Sequence, residues 1–152
     1  MSKKVLIGII AVIAILVIAG AAMAGSSSNN NDDSEKTHNG ECKYTATEVD
    51  SYTYKISSYT YVKVPDAGKK FIRVTGTLTN NQDKYTMSSN PYNFQLVCDG
   101  LSYNYEYYNY DYVDIGKGYS ASIDLCFQVP DTASEIELKW TGLIKDVNMV
   151  KQ

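Results

Sequence analysis

Between Val5 and Ala24 the chain reads VLIGIIAVIAILVIAGAAMA, a run with no charged or strongly polar side chain. At about 1.5 Å per residue, about 20 such residues in a helix cross the roughly 30 Å hydrocarbon core of a bilayer. A buried core helix explains the run poorly. It is apolar all round, and the segments after it carry strand periodicity with no helical stripe. Lys3 and Lys4 stand just before it, and no basic residue follows until Lys36. That asymmetry predicts an amino terminus in the cytoplasm and the rest of the chain outside. A cleaved signal peptide is the competing reading. Its apolar region is usually about 7–15 residues, shorter than this one, but it ends in small residues at an A-x-A site. Ala22-Met23-Ala24 followed by Gly25 has that form. Length argues for a retained single-pass anchor, and the Ala-x-Ala for a product secreted after cleavage behind Ala24. No Cys follows the run closely, so attachment of a lipid to a terminal Cys is not expected.

The organisation that follows is an anchor or signal over 1–24, a polar linker over 25–41 and a folded domain over 42–152. The linker reads GSSSNNNDDSEKTHNGE and has no apolar residue with which to build a core, which predicts disorder. As a flexible coil it spans roughly 20–25 Å, enough to hold the domain clear of a membrane surface. His38, the single histidine, has no fixed partner in such a segment. Asp32-Asp33-Ser34-Glu35 lacks the spacing and turn glycine of a calcium loop. The remaining 110 or so residues suffice for one core and not for two. Net charge is −3, and without Lys3 and Lys4 the rest carries −5. A surface of that sign repels phosphate backbones, so nucleic acid is not an expected partner. No Asn-x-Ser/Thr acceptor occurs, so glycosylation at that motif is not expected either.

From Cys42 onward the pattern is one of short strands. Lys43–Val49 is rich in Tyr, Thr and Val. Ser51-Tyr52-Thr53-Tyr54 is echoed by Ser58-Tyr59-Thr60-Tyr61, which reads as two adjacent strands of similar composition. Pro65-Asp66-Ala67-Gly68 marks a turn. Phe71–Thr79 alternates cleanly, with Ile72, Val74, Gly76 and Leu78 on one face and Arg73, Thr75 and Thr77 on the other. Tyr85–Met87 reads as a short edge strand, followed by a loop through Asn90-Pro91. Phe94, Leu96 and Cys98 share a face, and Asp99-Gly100 is a two-residue hairpin signature. The chain returns through Leu101–Tyr107 and turns again at Gly116-Lys117-Gly118. Ser120–Val129 points Ala121, Ile123, Leu125, Phe127 and Val129 inward. Ile136, Leu138 and Trp140 mark the expected final strand. Seven or eight short strands with frequent turns predict an all-β, two-sheet antiparallel immunoglobulin-like sandwich.

The pattern Phe71-Ile72-x-Val74 through Leu78, Asn80-Asn81, Asn93-Phe94-x-Leu96, Asp99-Gly100, Gly116 with Gly118, Phe127-x-Val129-Pro130 and Ile136-x-Leu138 resembles a family of uncharacterised extracytoplasmic domains with a telokin-like, immunoglobulin-type fold. The resemblance covers roughly half the chain and consists of core and turn positions. It implies the fold and a lipid-anchored or transmembrane N-terminus, and it brings no catalytic residues.

Three cysteines, Cys42, Cys98 and Cys126, lie outside the membrane in this topology, where an oxidising exterior favours one bridge. Cys98 falls on an inward face by parity and Cys126 on an outward one, which argues against joining them. Cys42, leading in from the linker, makes Cys42–Cys126 the expected pair, with three free thiols as the alternative. No Cys-x-x-Cys motif or histidine cluster offers a zinc site, and neither metal nor cofactor is expected.

Tyrosine is the unusual residue, with fourteen against three Phe and one Trp. Ser102–Tyr112 reads SYNYEYYNYDY. Tyr103, Tyr105 and Tyr107 share one parity and Tyr108, Tyr110 and Tyr112 the other, which predicts a break between Tyr107 and Tyr108. As a recognition face, Tyr103, Tyr105, Tyr108, Tyr110 and Tyr112 give rigid amphipathic area, with Glu106, Asn109 and Asp111 as hydrogen-bonding groups. Such a surface suits a glycan, another envelope component or a protein bearing Lys or Arg. Against this stands the plain strand preference of Tyr, whose alternate rings cover a core edge. Glu106 and Asp111 as a glycosidase-like pair need a cleft that a domain of this size rarely builds. The expected role is therefore non-catalytic binding. A structural subunit of an envelope complex, or an inhibitor of a secreted protease, is the alternative.

Overall fold

A computed structural model describes residues 37–152. The expected anchor and most of the linker lie outside the described residues. Among those described, no helix is long and apolar enough to cross a membrane.

The described residues form twelve strands: β1 (Gly40–Val49), β2 (Tyr52–Ile56), β3 (Tyr59–Lys63), β4 (Lys69–Asn80), β5 (Met87–Ser88), β6 (Phe94–Cys98), β7 (Leu101–Tyr103), β8 (Tyr105–Tyr108), β9 (Asp114–Ile115), β10 (Ser120–Pro130), β11 (Ile136–Trp140) and β12 (Val147–Lys151). A 3₁₀ turn, Pro91–Asn93, leads into β6. Its Asn90 side chain accepts the Tyr92 N–H. The fold is all-β. A five-stranded sheet in the order β12-β1-β4-β10-β8 faces a three-stranded sheet, β11-β6-β7. One apolar cluster joins them, drawing Cys42, Tyr44, Ile72, Val74, Leu78, Ile123, Leu125 and Phe127 from the first and Phe94, Leu96, Cys98 and Leu138 from the second.

The alternation in β4 and β10 does the sorting. Ile72, Val74 and Leu78 are all buried toward this cluster, as are Ile123, Leu125, Phe127 and Val129. Each such side chain contributes about 1.5–3 kcal/mol when fully buried. Asp99 and Gly100 take φ of 50° and 83°, the left-handed pair that a tight hairpin between β6 and β7 requires. The Asp99 carboxylate accepts from the Ser134 and Glu135 N–H groups and the Ser134 hydroxyl, which fixes the turn to the entry of β11.

The two sheets are tied by a hydrogen bond as well as by packing. Tyr44 on β1 is buried, and its phenol oxygen accepts the Leu138 N–H of β11 at 3.0 Å. Gly76 lies opposite Tyr44 on β4, where a Cβ would collide with the Lys43 carbonyl oxygen and the Tyr44 backbone.

Several expectations are corrected here. The last strand is β12, not the Ile136–Trp140 segment. It pairs with β1 in parallel, Gly40 against Val147 through Tyr44 against Lys151, so the main sheet is not purely antiparallel. The pairing was invisible because its partner lies about a hundred residues away and VNMVK shows no clean alternation. The domain also begins before Cys42. β1 starts at Gly40, the Asn39 N–H donates to the Asp146 carbonyl, and His38 Nδ1 sits 2.8 Å from the Asp146 carboxylate. The end of the polar segment is thus part of the fold and gives His38 a partner. The strand expected at Tyr85–Met87 is Met87–Ser88, paired with β9.

The Cys42–Cys126 bridge is not formed, and all three cysteines are free and buried. Cys42 pairs across to Leu78 and joins the inter-sheet core. Cys126 pairs across to Arg73 on the other face of the same sheet. With β4 between them and their side chains on opposite faces, the two sulfurs cannot meet at disulfide distance. Burial also pushes the Cys42 and Cys126 thiols up to about 12, which keeps them protonated and unreactive.

Two outcomes follow. Native protein should take up no alkylating reagent over the time in which the urea-unfolded chain labels at three sites, read by intact mass. Fewer than three labels on the unfolded, unreduced chain would restore a bridge. Tyr44→Phe should lower stability by about 1–3 kcal/mol in urea titration, because it strands a buried N–H.

Candidate functional site

The second face of the five-stranded sheet is dry at one end only, while Thr45, Thr77 and Ser122 on the rest of it are exposed. β2 and β3 form a hairpin in which Tyr54 lies opposite Tyr61, and this hairpin covers part of that face. Tyr52, Phe71 and Cys126 are buried beneath it as a small second core. Its two-residue turn begins at Ser57 with φ of 54°, as the primed hairpin turns demand.

One polar network pins the hairpin down. The Arg73 guanidinium donates to both carboxylate oxygens of Asp124, through Nε at 3.0 Å and Nη2 at 2.7 Å. The Tyr52 hydroxyl donates to the same carboxylate and to the Asp124 carbonyl, each at 3.0 Å. The Arg73 guanidinium also lies 5.9 Å from the centre of the Tyr52 ring. Burial raises the Tyr52 phenol well above its usual range, and the neighbouring Asp124 carboxylate adds to the shift.

Beside the hairpin the tyrosine-rich stretch behaves differently from its sequence parity. It is not one strand. β7 belongs to the three-stranded sheet and β8 to the five-stranded one, and the chain changes sheet at Asn104. The expected break between Tyr107 and Tyr108 falls instead at Glu106. Tyr108 pairs with Leu125, Tyr107 with Cys126, and Tyr105 with Phe127, which leaves Glu106 as a bulge. Tyr105 and Tyr107 therefore face opposite ways. Tyr105 and Tyr108 pack against the inter-sheet core, whereas Tyr107 joins the second core.

The rings form two sets. On the hairpin side Tyr61, Tyr54 and Tyr107 stack with centroids 5.4 and 4.8 Å apart, and Phe71 meets Tyr107 edge-on at 6.0 Å. On the core side Tyr92, Tyr105, Tyr108 and Tyr110 follow one another edge to face at 5.4, 5.7 and 5.8 Å. The Tyr110 hydroxyl donates to the Ser89 carbonyl at 2.6 Å, which makes this ring a pin for the loop before the 3₁₀ turn.

Between the sets runs a groove of about 830 Å³. Tyr54, Lys55, Ile56 and Ser57 of the hairpin line one side and the consecutive residues Tyr105–Asp111 the other. Of the residues expected from sequence, Tyr105, Glu106, Tyr108, Asn109, Tyr110 and Asp111 all line it. Tyr103 does not: on β7 it pairs with Leu96 of β6 and packs on the core. Tyr112 is exposed outside the groove and meets Tyr108 edge-on at 6.3 Å. The hairpin wall was missed. Its signal was the repeated Ser-Tyr-Thr-Tyr, whose tyrosines at alternate positions fall on the face that meets Tyr107. Chemically, the groove offers ring edges, one amide, two carboxylates and one ammonium group.

Burial pushes the Tyr105 phenol up to about 12, helped by its hydrogen bond with Tyr92, and raises that of Tyr110 as well. The folded chain therefore keeps protons that the unfolded chain releases above its ordinary tyrosine and cysteine values of 10.0 and 9.0. Stability from these groups is fully present below about pH 9 and is lost as pH rises toward 12. A urea midpoint that falls over that window, with phenolate absorbance rising at unfolding, is the expected result.

The sequence was compared with protein families, curated proteins and solved structures. A family described as a domain of unknown function (DUF5067) matches residues 27–142, well over half of the chain, and the chain belongs to that family. No curated protein and no solved structure matches it.

Proposed function

We propose that this family member is a non-catalytic binding module, anchored to the cell membrane by Val5–Ala24 and displayed outside it, with the hairpin–β8 groove as its recognition face. Cleavage after Ala24 would make the same module a secreted one. The sandwich is read as immunoglobulin-type and telokin-like, on the strength of two facing sheets of short strands around one core. The partner is a glycan, another envelope component or a protein, and neither a cofactor nor nucleic acid is involved.

One observation carries this reading. The groove gathers residues from two distant segments, 54–57 and 105–111, and places exposed Lys55, Glu106, Asn109 and Asp111 around partly buried rings. Rings held by core packing lose little entropy on binding, and the polar groups at the rim supply orientation. The buried thiols, held protonated, are not nucleophiles.

A second reading, an assembly subunit, is favoured by β3. Tyr59, Val62 and the adjoining Val64 are exposed at 68, 62 and 68 %. A constitutive oligomer that loses mass on Val62→Lys in sedimentation would support it.

To test the first reading, Tyr105, Tyr108 and Tyr110 are poor targets, since their rings support the core and the Ser89 loop. The better variant is Lys55→Ala with Asn109→Ala and Asp111→Ala, all exposed. Immobilised full-length chain should capture envelope glycan or protein, and the triple variant at least about tenfold less, a change of about 1.4 kcal/mol in binding. Its folding stability should move by no more than about 0.5 kcal/mol. Unchanged capture by the variant would remove the groove from recognition.

A further inference from the structure

The groove has an unusual floor. Seven consecutive residues, Tyr105–Asp111, line it, so it runs along the chain and not across it. Its strand part, β8, has four residues and extends about 13 Å at about 3.3 Å per residue, room for a short partner strand. β8 is also the terminal strand of the five-stranded sheet, hydrogen-bonded to β10 on one side. The outward N–H and C=O groups of a terminal strand are a template for another backbone. The hairpin residues Tyr54–Ser57 form the wall opposite that edge.

The charges narrow the occupant. Glu106, set out by the bulge, and Asp111 both line the groove. Among the described residues neither carboxylate takes part in an ion pair, and Lys55 is the one basic residue in the lining. A second copy of this chain at β8 would bring its own surplus of negative charge to the same groove, which opposes self-association. A glycan would use the rings and amide but would leave the strand edge unused and the surplus negative charge unanswered.

We infer that the groove takes an extended, cationic peptide segment, which adds a strand to β8 and sets Lys or Arg against Glu106 and Asp111. This rests on the groove being the recognition face. It goes further in naming the chemistry of the partner. Main-chain hydrogen bonds supply affinity in this mode, and alternate side chains supply selectivity. Here one set would enter beneath Tyr54 and Ile56 and the other would lie toward the carboxylates. The bulge and the charges that bar a second copy thus select a partner of opposite sign.

The test uses isotope-labelled full-length chain and three probes: acetyl-Lys-Val-Lys-Val-Lys-Val-amide, whose lysines share one face when extended, the same peptide with alternate amides N-methylated, and a linear oligomer of N-acetylglucosamine. The first peptide should shift amide resonances within 54–57 and 105–111. N-methylation, which removes the donors needed for strand pairing, should weaken it by at least about tenfold. So should Glu106→Gln with Asp111→Asn, which removes the two charges while keeping the side-chain shapes. Equal binding by the N-methylated peptide would overturn strand addition. Absence of peptide shifts, with the same amides moved by the oligosaccharide, would overturn the peptide while leaving the groove as the recognition face. If neither probe moves these amides and the triple variant of the previous section still captures envelope material, both readings fall together.

Discussion

The register of β4, near the middle of the main sheet, is the constraint on which the rest of the structure depends. Its alternation sends Ile72, Val74 and Leu78 to the inter-sheet core and Phe71 to the smaller core beneath the β2–β3 hairpin. β1 and β10 flank it through long antiparallel ladders, and their own inward residues are placed by its register. A slip of one residue would exchange the two sets and leave Arg73 in the apolar core. Arg73 holds the register from the other side. Its fork meets both oxygens of Asp124 and stays half-exposed, so the ion pair costs less desolvation than a buried one. The hydroxyl of Tyr52 closes that network, and it is this contact that seats the hairpin wall beside β8.

The abundance of tyrosine becomes intelligible in these terms. Phenylalanine would fill the same volumes, but three of the rings use their oxygen. Tyr44 satisfies a β11 amide, Tyr52 meets Asp124, and Tyr110 fixes the Ser89 carbonyl. A thin sandwich leaves many side chains with one end in the core and one end near water or a strand edge. Tyrosine suits that boundary. The same property leaves a surface of ring edges and hydroxyls once the scaffold has been built, and the groove draws on that surplus.

How much of this was legible in the sequence depends on the range of the interaction. The alternation of β4 and β10 and the Asp99-Gly100 hairpin are local, and they were read correctly to within a residue or two. The all-β class followed from them. What failed was set by partners far away. The parallel pairing of β12 needs β1, and the cover over Cys126 needs the hairpin, so an outward parity wrongly suggested a wet face for that thiol. At the tyrosine stretch the residues lining the groove were largely identified, yet their orientation was not. Parity assumes an unbroken pleat, and the bulge at Glu106 reverses it. Nothing in SYNYEYYNYDY distinguishes a bulge at Glu106 from one at Tyr107, because the register is fixed by Cys126 and Phe127 across the ladder.

The direction of β1 has a mechanical consequence. The chain enters the sheet at Gly40 and runs to Val49 between β4 and β12, hydrogen-bonded on both sides over its first five residues. Tension arriving through the preceding segment acts along this strand, across hydrogen bonds that lie sideways to it. The bonds are then loaded together in shear, not peeled apart one by one. β8 lies at the opposite margin of the same sheet, beyond β4 and β10. A pull applied between Gly40 and that margin would be spread across the whole width of the sheet, through the ladders of β1, β4, β10 and β8 together.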